Sequence, residues 1–79
     1  MPTQYGLSEK QMARMERDFT YHPPKGDQPE RYNHLREVAR TFAVAIYSNT
    51  PEGREQSLAI THLEDAIMWA NAAIARGES

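Results

Sequence analysis

The stretch LAITHLEDAIMWANAAIA, residues 58–75, decides the fold, because its apolar residues occupy more than one face of any helix that it forms. One stripe is rich in alanine and consists of Ala59, Leu63, Ala66, Ala70 and Ala73. A second stripe recurs every seven residues and consists of Ile60, Ile67 and Ile74, with Met68 and Trp69 outside both stripes. A helix that is apolar nearly all round has to be buried nearly all round.

The rest of the chain is too short to cover such a helix. Its 79 residues correspond to a single domain, residues 1–79, and a chain of this size buries only about 60–65% of its unfolded surface. We therefore expect self-association with closed symmetry to supply the missing cover, with Asn71 inside the apolar run fixing the helix register. The alternative is a loosely packed, alanine-rich monomer in which Trp69 is half exposed.

Composition places the chain among globular domains and argues against several functions. Hydrophobic residues make up 39% and charged residues 25% of it, well short of the signature of disorder. It has no cysteines, so disulfides and thiolate metal sites are excluded. A net charge of −2 and a pI near 5.9 argue against binding to duplex nucleic acid.

No apolar run is long enough to span a membrane, and residues 1–7 lack the features of a signal peptide. We therefore expect a soluble intracellular protein with a flexible N-terminus over residues 1–7.

Local signals predict a first helix over about residues 9–20. Ser8 and Gln11 have the spacing of a capping box, in which a hydroxyl and an amide satisfy each other's free backbone N–H groups. One narrow apolar stripe follows and consists of Met12, Met15 and Phe19. The helix should end before His22-Pro23-Pro24, because the residue that precedes a proline is pushed out of the helical region.

Two longer helices are predicted over about residues 28–47 and 51–76. Asp27 and Glu30 form a second capping-box pattern, and Pro29 is tolerated in the first turn. The apolar residues of this second helix, spaced by three and four, are Leu35, Val38, Phe42 and Ile46. Ser48 and Asn49 are predicted to form the turn, with Thr50 as the N-cap of the third helix and Gly77 as its stop. The fold class is all-α: a short N-terminal helix and a long antiparallel helical hairpin that assembles into a symmetric oligomer.

The chain carries no recognisable pattern for metal binding or catalysis. Its histidines are His22, His34 and His62, and they form neither HExxH nor another ligand spacing, so no metal and no cofactor are expected. Glu64 and Asp65 are adjacent and therefore diverge on a helix, and no nucleophile is paired with a base. We predict a protein that is not an enzyme.

The polar face of the second helix is better suited to binding. Tyr32, Arg36 and Arg40 follow at intervals of four and form one stripe, with Tyr21 and His22 just before the helix. Arginine's planar fork matches phosphate oxygens, and an aromatic ring can stack on a base. The pattern therefore suits a nucleotide ligand. The alternative is an ordinary solvated face, with the arginines paired to nearby acids such as Glu37.

Several segments resemble one known family. YHPP, then ERYNHLREVARTFA, PEGRE and AITHLEDAIMWANAAIAR, are similar in order and spacing to the phage anti-CBASS cyclic-oligonucleotide sponges. The likeness covers about residues 19–76 and is most specific in MWANAAIAR and in the tyrosine-histidine-proline element. The resemblance implies helical subunits that form a hexamer, built as a trimer of dimers, in the host bacterial cytoplasm. It implies non-enzymatic sequestration of cyclic dinucleotides and cyclic trinucleotides, which blocks CBASS antiphage immunity.

The resemblance also implies site residues. For the cyclic dinucleotide pocket it points to Tyr21 for base stacking and to Arg36 for phosphate, and the physical argument adds their neighbours His22, Lys25 and Arg40. For the cyclic trinucleotide pocket it points to Arg76, with Asn71 and Thr61 as further candidates. A two-fold dimer presents each of its residues twice, which matches a ligand with two phosphates and two bases. The alternative function is a helical oligomeric protein–protein interaction module that binds a partner through the third helix.

Overall fold

Three α-helices make up the protein. A computed structural model describes residues 5–78, so part of the N-terminus that was predicted to be flexible, residues 1–4, lies outside the described residues, as does residue 79. The helices are α1 (Glu9–Phe19), α2 (Gln28–Asn49) and α3 (Arg54–Gly77). No strand occurs between residues 5 and 78. The predicted all-α class, with a short first helix followed by a hairpin, is confirmed.

α1 begins at the predicted capping box. The Ser8 hydroxyl accepts a hydrogen bond from the Gln11 N–H at 3.0 Å, and the Gln11 side chain accepts one from the Ser8 N–H at 3.0 Å. The helix ends at Phe19, one residue earlier than predicted, and the backbone at Thr20 is extended. The apolar stripe of Met12, Met15 and Phe19 is exposed to solvent. Local capping therefore defines α1, while its apolar face remains uncovered within one chain.

α2 begins at Gln28, as predicted, but its N-terminal cap and its last residue differ from the prediction. Asp27 occupies the N-cap position, but its carboxylate pairs with Arg31 at 3.1 Å instead of forming the predicted capping box with Glu30. At its other end α2 runs through the predicted turn to Asn49. The Thr50 hydroxyl donates a hydrogen bond to the carbonyl of Ile46 at 2.6 Å, so Thr50 closes α2 and is not the N-cap of α3.

α3 starts three residues later than predicted. It begins at Arg54 with Gly53 as its N-cap, and residues 50–53 form the turn. This turn is held by the Gln56 side-chain amide, which donates to the carbonyl of Thr50 at 3.1 Å and to its hydroxyl at 3.0 Å. At the C-terminal end the N–H of Glu78 donates to the carbonyl of Ile74 at 3.2 Å and closes the last turn.

α2 and α3 pack against each other as an antiparallel hairpin. The half-buried apolar residues of α2 are Leu35, Ala39, Ala43 and Ile46. Those of α3 along the hairpin include Ala59, Ile60, Leu63, Ile67, Ala70 and Ile74. Val38 and Phe42 were predicted to belong to the facing stripe of α2, but they are 51% and 58% exposed. The alanines replace them at the contact because small side chains allow the two helix backbones to approach closely.

The single chain leaves an unusually large surface uncovered. Its radius of gyration is 17.7 Å, whereas a compact chain of this length has a value of about 12 Å. Its accessible surface is 6840 Å², compared with about 4,900 Å² for a folded monomer of this mass. No hydrophobic side chain among residues 5–78 is fully buried. One chain therefore presents the two sides of its hairpin as open surfaces.

Candidate ligand-binding groove

The residues around the first loop and the end of α3 form a groove of about 500 Å³, which we call the composite groove. It lies between the C-terminal end of α1, residues 20–24, the first half of α2 and the last turns of α3. Its lining residues are Asp18, Thr20, Tyr21, His22, Pro24, Tyr32, Arg36, Asn71, Ala72, Ala75 and Arg76. Three helices and one loop thus contribute to a single concave surface.

Helical spacing explains how α2 and α3 contribute to this surface. Tyr32 and Arg36 are separated by four residues on α2 and therefore share a face. On α3 the same spacing relates Asn71 to Ala75 and Ala72 to Arg76. The two alanines leave room between the larger polar side chains, so the groove has both apolar and polar lining.

Aromatic and guanidinium groups are the lining groups of the groove that are best suited to ligand binding. The Tyr21 side chain is 79% exposed, and that of Tyr32 is half-buried against the groove wall. Arg36 is exposed and donates a hydrogen bond from Nη1 to Asn33 Oδ1 at 3.1 Å, which orients its guanidinium group. Two rings with accessible faces and oriented cations are suited to an anionic ligand with aromatic groups.

His22 and Asn71 have different roles in the same groove. His22 Nε2 lies 2.6 Å from the carbonyl oxygen of Arg17, and because a carbonyl only accepts, Nε2 donates this hydrogen bond. His22 therefore ties the loop to the end of α1. Asn71 Oδ1 is buried and has no hydrogen-bond partner among the described residues. Such an acceptor is costly to leave unsatisfied, so it is a site for a ligand donor or a water molecule.

Asp18 places a negative charge among the cations of the groove. Its carboxylate lies 3.5 Å from Arg14 Nε, 3.6 Å from Arg17 Nε and 3.7 Å from Arg76 Nε. Asp18 is one-fifth exposed, while each arginine is more exposed. The carboxylate links α1 to α3 and places a negative charge beside Arg76.

A set of polar contacts, which we call the Glu78 network, lies behind the groove. Glu78 accepts two hydrogen bonds from Arg31, at 2.8 Å from Nη1 and 2.5 Å from Nη2, and one from Gln28 Nε2 at 3.0 Å. These hydrogen bonds, those from Arg31 above all, lower the pKa of the Glu78 carboxyl to about 2. The same carboxylate, with Asp27, raises the pKa of Arg31 above its usual value. Gln28 is 4% exposed and is the buried polar residue of this region.

The structure brings together only some of the predicted site residues. Tyr21, His22 and Arg36, which were predicted for the cyclic dinucleotide pocket, line the composite groove. Arg76 and Asn71, which were predicted for the separate cyclic trinucleotide pocket, line the same groove.

The remaining candidates lie elsewhere. Arg40 lines a separate groove of about 460 Å³ on the α2–α3 hairpin, which we call the apolar groove and to which Arg36 also contributes. Lys25 lines a cleft of about 260 Å³ with His22 and Gln28. Thr61 is exposed on α3 and lies outside these three depressions.

Tyr32 was placed by sequence on the same stripe as Arg36 but was not assigned to either pocket, and Asp18 was not considered for the site. Tyr32 carried a usable signal, because its distance of four residues from Arg36 already places both side chains on one face. Asp18 carried none. Its position depends on the path of residues 20–24, which brings α1 beside the end of α3.

Within the described part of the chain, no three or more histidine, cysteine, aspartate or glutamate side chains are arranged so that they could hold a metal ion. Among the helices that the structure describes, none is both long and apolar enough to cross a bilayer.

Fold and groove together define a small helical-hairpin protein with a cationic, tyrosine-lined binding surface. The family model described as Acb2/Tad1, hairpin domain, matches residues 12–75, and the chain therefore belongs to this family of phage anti-CBASS sponges. The role at the level of the family is to bind cyclic oligonucleotides and so to counter CBASS immunity. Comparisons with curated proteins and with solved structures gave no significant match.

Proposed function

We propose that this protein sequesters cyclic oligonucleotide second messengers, mainly cyclic dinucleotides and also cyclic trinucleotides, and thereby blocks CBASS antiphage immunity in the host bacterial cytoplasm. One observation carries the proposal: Tyr21, Tyr32, Arg36 and Arg76 line the same groove. Membership of the Acb2/Tad1 hairpin family supports it independently.

The chemistry of these side chains fits a cyclic dinucleotide. Arg36 and Arg76 supply charged donors for phosphate oxygens, which form stronger hydrogen bonds than neutral donors do. Tyr21 and Tyr32 supply ring faces, and stacking of a base on an aromatic ring contributes about 1–3 kcal/mol. The groove volume of about 500 Å³ lies within the range of small-molecule sites.

Assembly into a symmetric oligomer is part of the proposal. The uncovered surface of one chain exceeds that of a compact monomer by about 1,900 Å², which is more than the roughly 800 Å² that each partner contributes to a stable interface. Phe42 and Trp69 are 58% and 61% exposed and are suited to such a contact. A hexamer built as a trimer of dimers would present the composite groove in two-fold related pairs.

We further propose that binding leaves every bond of the ligand intact and requires no cofactor. The messenger is withheld from its effector for as long as it is bound. Prolonged incubation of stoichiometric cyclic GMP–AMP with the protein, followed by denaturation and mass spectrometry, should return the intact ligand. A linear dinucleotide in the recovered material would contradict sequestration without chemistry.

The decisive experiment is calorimetric titration of the full chain with 3′,3′-cyclic GMP–AMP. Tyr21→Ala and Arg36→Ala should each weaken binding by about tenfold to a hundredfold, which corresponds to the loss of a stacked base or a charged hydrogen bond. Arg54→Ala, which removes an exposed arginine at the other end of the hairpin, is the matched control and should bind as the parent does. A parent protein that binds neither this ligand nor a cyclic trinucleotide would overturn the proposal.

Arg40→Ala decides between the site predicted from sequence and the composite groove. Arg40 lies on the same helix as Arg36 but lines the apolar groove. If ligand binding is confined to the composite groove of one chain, the variant should retain the parent affinity. A loss as large as that of Arg36→Ala would instead extend the binding site across the hairpin towards Arg40.

The second candidate function is a protein–protein interaction module that binds through α3. It is favoured by the exposure of Met68 and Trp69 on that helix. The two functions separate in one variant pair. A sponge loses ligand with Arg36→Ala while its mass in solution is unchanged, whereas an interaction module is unaffected by Arg36→Ala and loses its protein partner with Trp69→Ala.

A further inference from the structure

Glu78 connects three parts of the composite groove although it lies outside the segment that matches the family. The family match ends at residue 75, and Glu78 follows directly after α3. Its backbone N–H closes the last turn of α3, while its carboxylate binds Arg31 and Gln28 near the start of α2. One residue therefore fixes the end of α3 to the beginning of α2.

Gln28 extends this connection to the loop that carries Tyr21 and His22. Its Oε1 accepts a hydrogen bond from the Lys25 N–H at 3.1 Å, and its backbone N–H donates to the Lys25 carbonyl at 3.0 Å. Its Nε2 donates to Glu78 at 3.0 Å. Gln28 is 4% exposed, and a buried amide with both ends bonded has few alternative conformations.

The Glu78 network lies immediately next to the binding groups in sequence and in space. Arg31 precedes Tyr32, Glu78 is two residues beyond Arg76, and Gln28 follows the tyrosine-histidine-proline loop. Tyr32, Arg76 and that loop form three walls of the composite groove. A change in the Glu78 contacts would therefore change the separation of the walls without removing any of the binding side chains.

We propose that Glu78 is a positioning residue for ligand binding, which holds the three walls of the composite groove at the separation that the cyclic nucleotide requires. The inference rests on the proposed function. Gln28 and Arg31 transmit the effect of Glu78, and none of the three residues lines the composite groove. A preorganised groove spends less binding free energy on ordering its loop, so its ligand dissociates more slowly.

A purely structural ion pair at the end of α3 would behave differently. Its loss would lower the free energy of unfolding and leave the affinity of the folded protein unchanged. A positioning residue changes the dissociation rate of the ligand under conditions in which the variant is fully folded. The two roles are therefore separated by measuring ligand kinetics on variants whose helix content matches that of the parent protein.

The test uses the full chain, 3′,3′-cyclic GMP–AMP and stopped-flow or surface-based kinetics. Glu78→Ala should raise the dissociation rate at least about fivefold, with an association rate within about twofold of the parent. Glu78→Gln keeps an acceptor for Gln28 and Arg31 and should fall between the parent and Glu78→Ala. Glu52→Ala, which removes an exposed carboxylate in the turn between α2 and α3, should match the parent.

A second variant keeps the proposal falsifiable if Glu78→Ala is poorly folded. Gln28→Ala removes the link to the loop while Arg31 and Glu78 remain paired, and it should raise the dissociation rate as well. Because the two residues act through one chain of contacts, the double variant should lose about as much as the more affected single variant. Additive losses, or parent-like rates in both single variants, would overturn the proposal.

Failure of the positioning role of Glu78 can be distinguished from failure of the proposed sequestration function. A parent protein that binds neither cyclic dinucleotides nor cyclic trinucleotides overturns both. A parent that binds tightly, together with a Glu78→Ala variant of equal dissociation rate, overturns only the positioning role. Hydrogen exchange of the Lys25 amide in the ligand-free protein adds a direct readout, since it should accelerate in Glu78→Ala and in Gln28→Ala.

Discussion

At the scale of single residues, the groove combines cationic and aromatic groups suited to an anionic ligand with one carboxylate, that of Asp18, that disfavours such a ligand. The family resemblance pointed to Tyr21 and Arg36 as pocket residues, and their chemistry agreed, because phenol and guanidinium groups suit the bases and phosphates of a nucleotide. Arg76 could not be placed with them by spacing, since contact between the end of α3 and the first loop depends on closure of the whole hairpin. The role of Asp18 follows from the same closure.

Asp18→Asn should tighten ligand binding. The Asp18 carboxylate lies 3.7 Å from Arg76 Nε, so it competes with a ligand phosphate and repels it. Removing the charge should lower the dissociation constant about threefold to tenfold, in keeping with about 1 kcal/mol for a partly exposed ion pair. Calorimetry at two salt concentrations checks this, because the gain should shrink as salt screens the charge.

Glu16→Gln is the matched control for Asp18→Asn. It removes an exposed carboxylate from the same helix, at a position that does not line the composite groove. Tighter binding in both variants would assign the effect to net charge and not to the contact with Arg76. Weaker binding in Asp18→Asn would mean that the carboxylate is needed to hold α1 in place.

Glu78 should make the free energy of unfolding depend on pH only under acidic conditions, below about pH 5. Its pKa is lowered to about 2 from an ordinary value of 4.5, so its contribution is fully present above pH 4.5 and is lost as the pH falls through 2. The difference in free energy of unfolding between the parent and Glu78→Gln should therefore be largest above about pH 5 and shrink towards pH 2. Denaturant unfolding at pH 7, 4, 3 and 2 measures this, and a constant difference would contradict it.

At the scale of secondary-structure elements, local sequence signals were correct where they had no competitor. Ser8 and Gln11 form their predicted capping box through two mutual hydrogen bonds. Asp27 has the same kind of pattern, but Arg31 one turn later binds its carboxylate. Thr50-Pro51 is an equally good start for a helix, yet the contacts of Thr50 with Ile46 and Gln56 move the start of α3 to Arg54. The capping pattern at Asp27 and the helix start at Thr50 were overridden by side-chain contacts whose strength cannot be judged from residue spacing.

Gly26 should be the most sensitive position of the loop between α1 and α2. Its φ of 58° lies in the left-handed region, while a Cβ at this position would meet no atom within 4 Å. Gly26→Ala should therefore lower the free energy of unfolding by about 1 kcal/mol through the backbone alone, and Gly26→Asn should cost less because asparagine tolerates this conformation. Chemical denaturation at fixed protein concentration measures the difference. Gly6→Ala, at a position without positive φ and equally open, is the control and should have little effect.

At the scale of the whole molecule, the sequence predicted the hairpin but not which faces of its helices meet. Val38 and Phe42 were assigned by sequence to the contact stripe of α2, but Ala39 and Ala43 are the half-buried residues there. The structure uses the alanines, which leaves Phe42 exposed at 58%. This choice depends on how closely two backbones can approach, and it cannot be read from periodicity. The larger apolar residues are thereby left on the outside of the hairpin, where a second copy can bury them.

Trp69→Lys should therefore dissociate the proposed oligomer. Burying a large apolar side chain contributes about 1.5–3 kcal/mol, and a two-fold contact contains the residue twice, so the dissociation constant of the assembly should rise at least about a hundredfold. Trp69 is 61% exposed in the single chain, and its burial on assembly should shift the fluorescence of the parent to the blue at high concentration and to the red on dilution. Analytical ultracentrifugation across the same range gives the mass.

Thr41→Lys adds the same charge to an exposed polar position of α2 and should retain the mass of the parent. A Trp69→Lys variant with the mass of the parent at micromolar concentration would exclude this face of α3 from the interface, and a parent that is monomeric throughout would exclude assembly as the source of paired grooves.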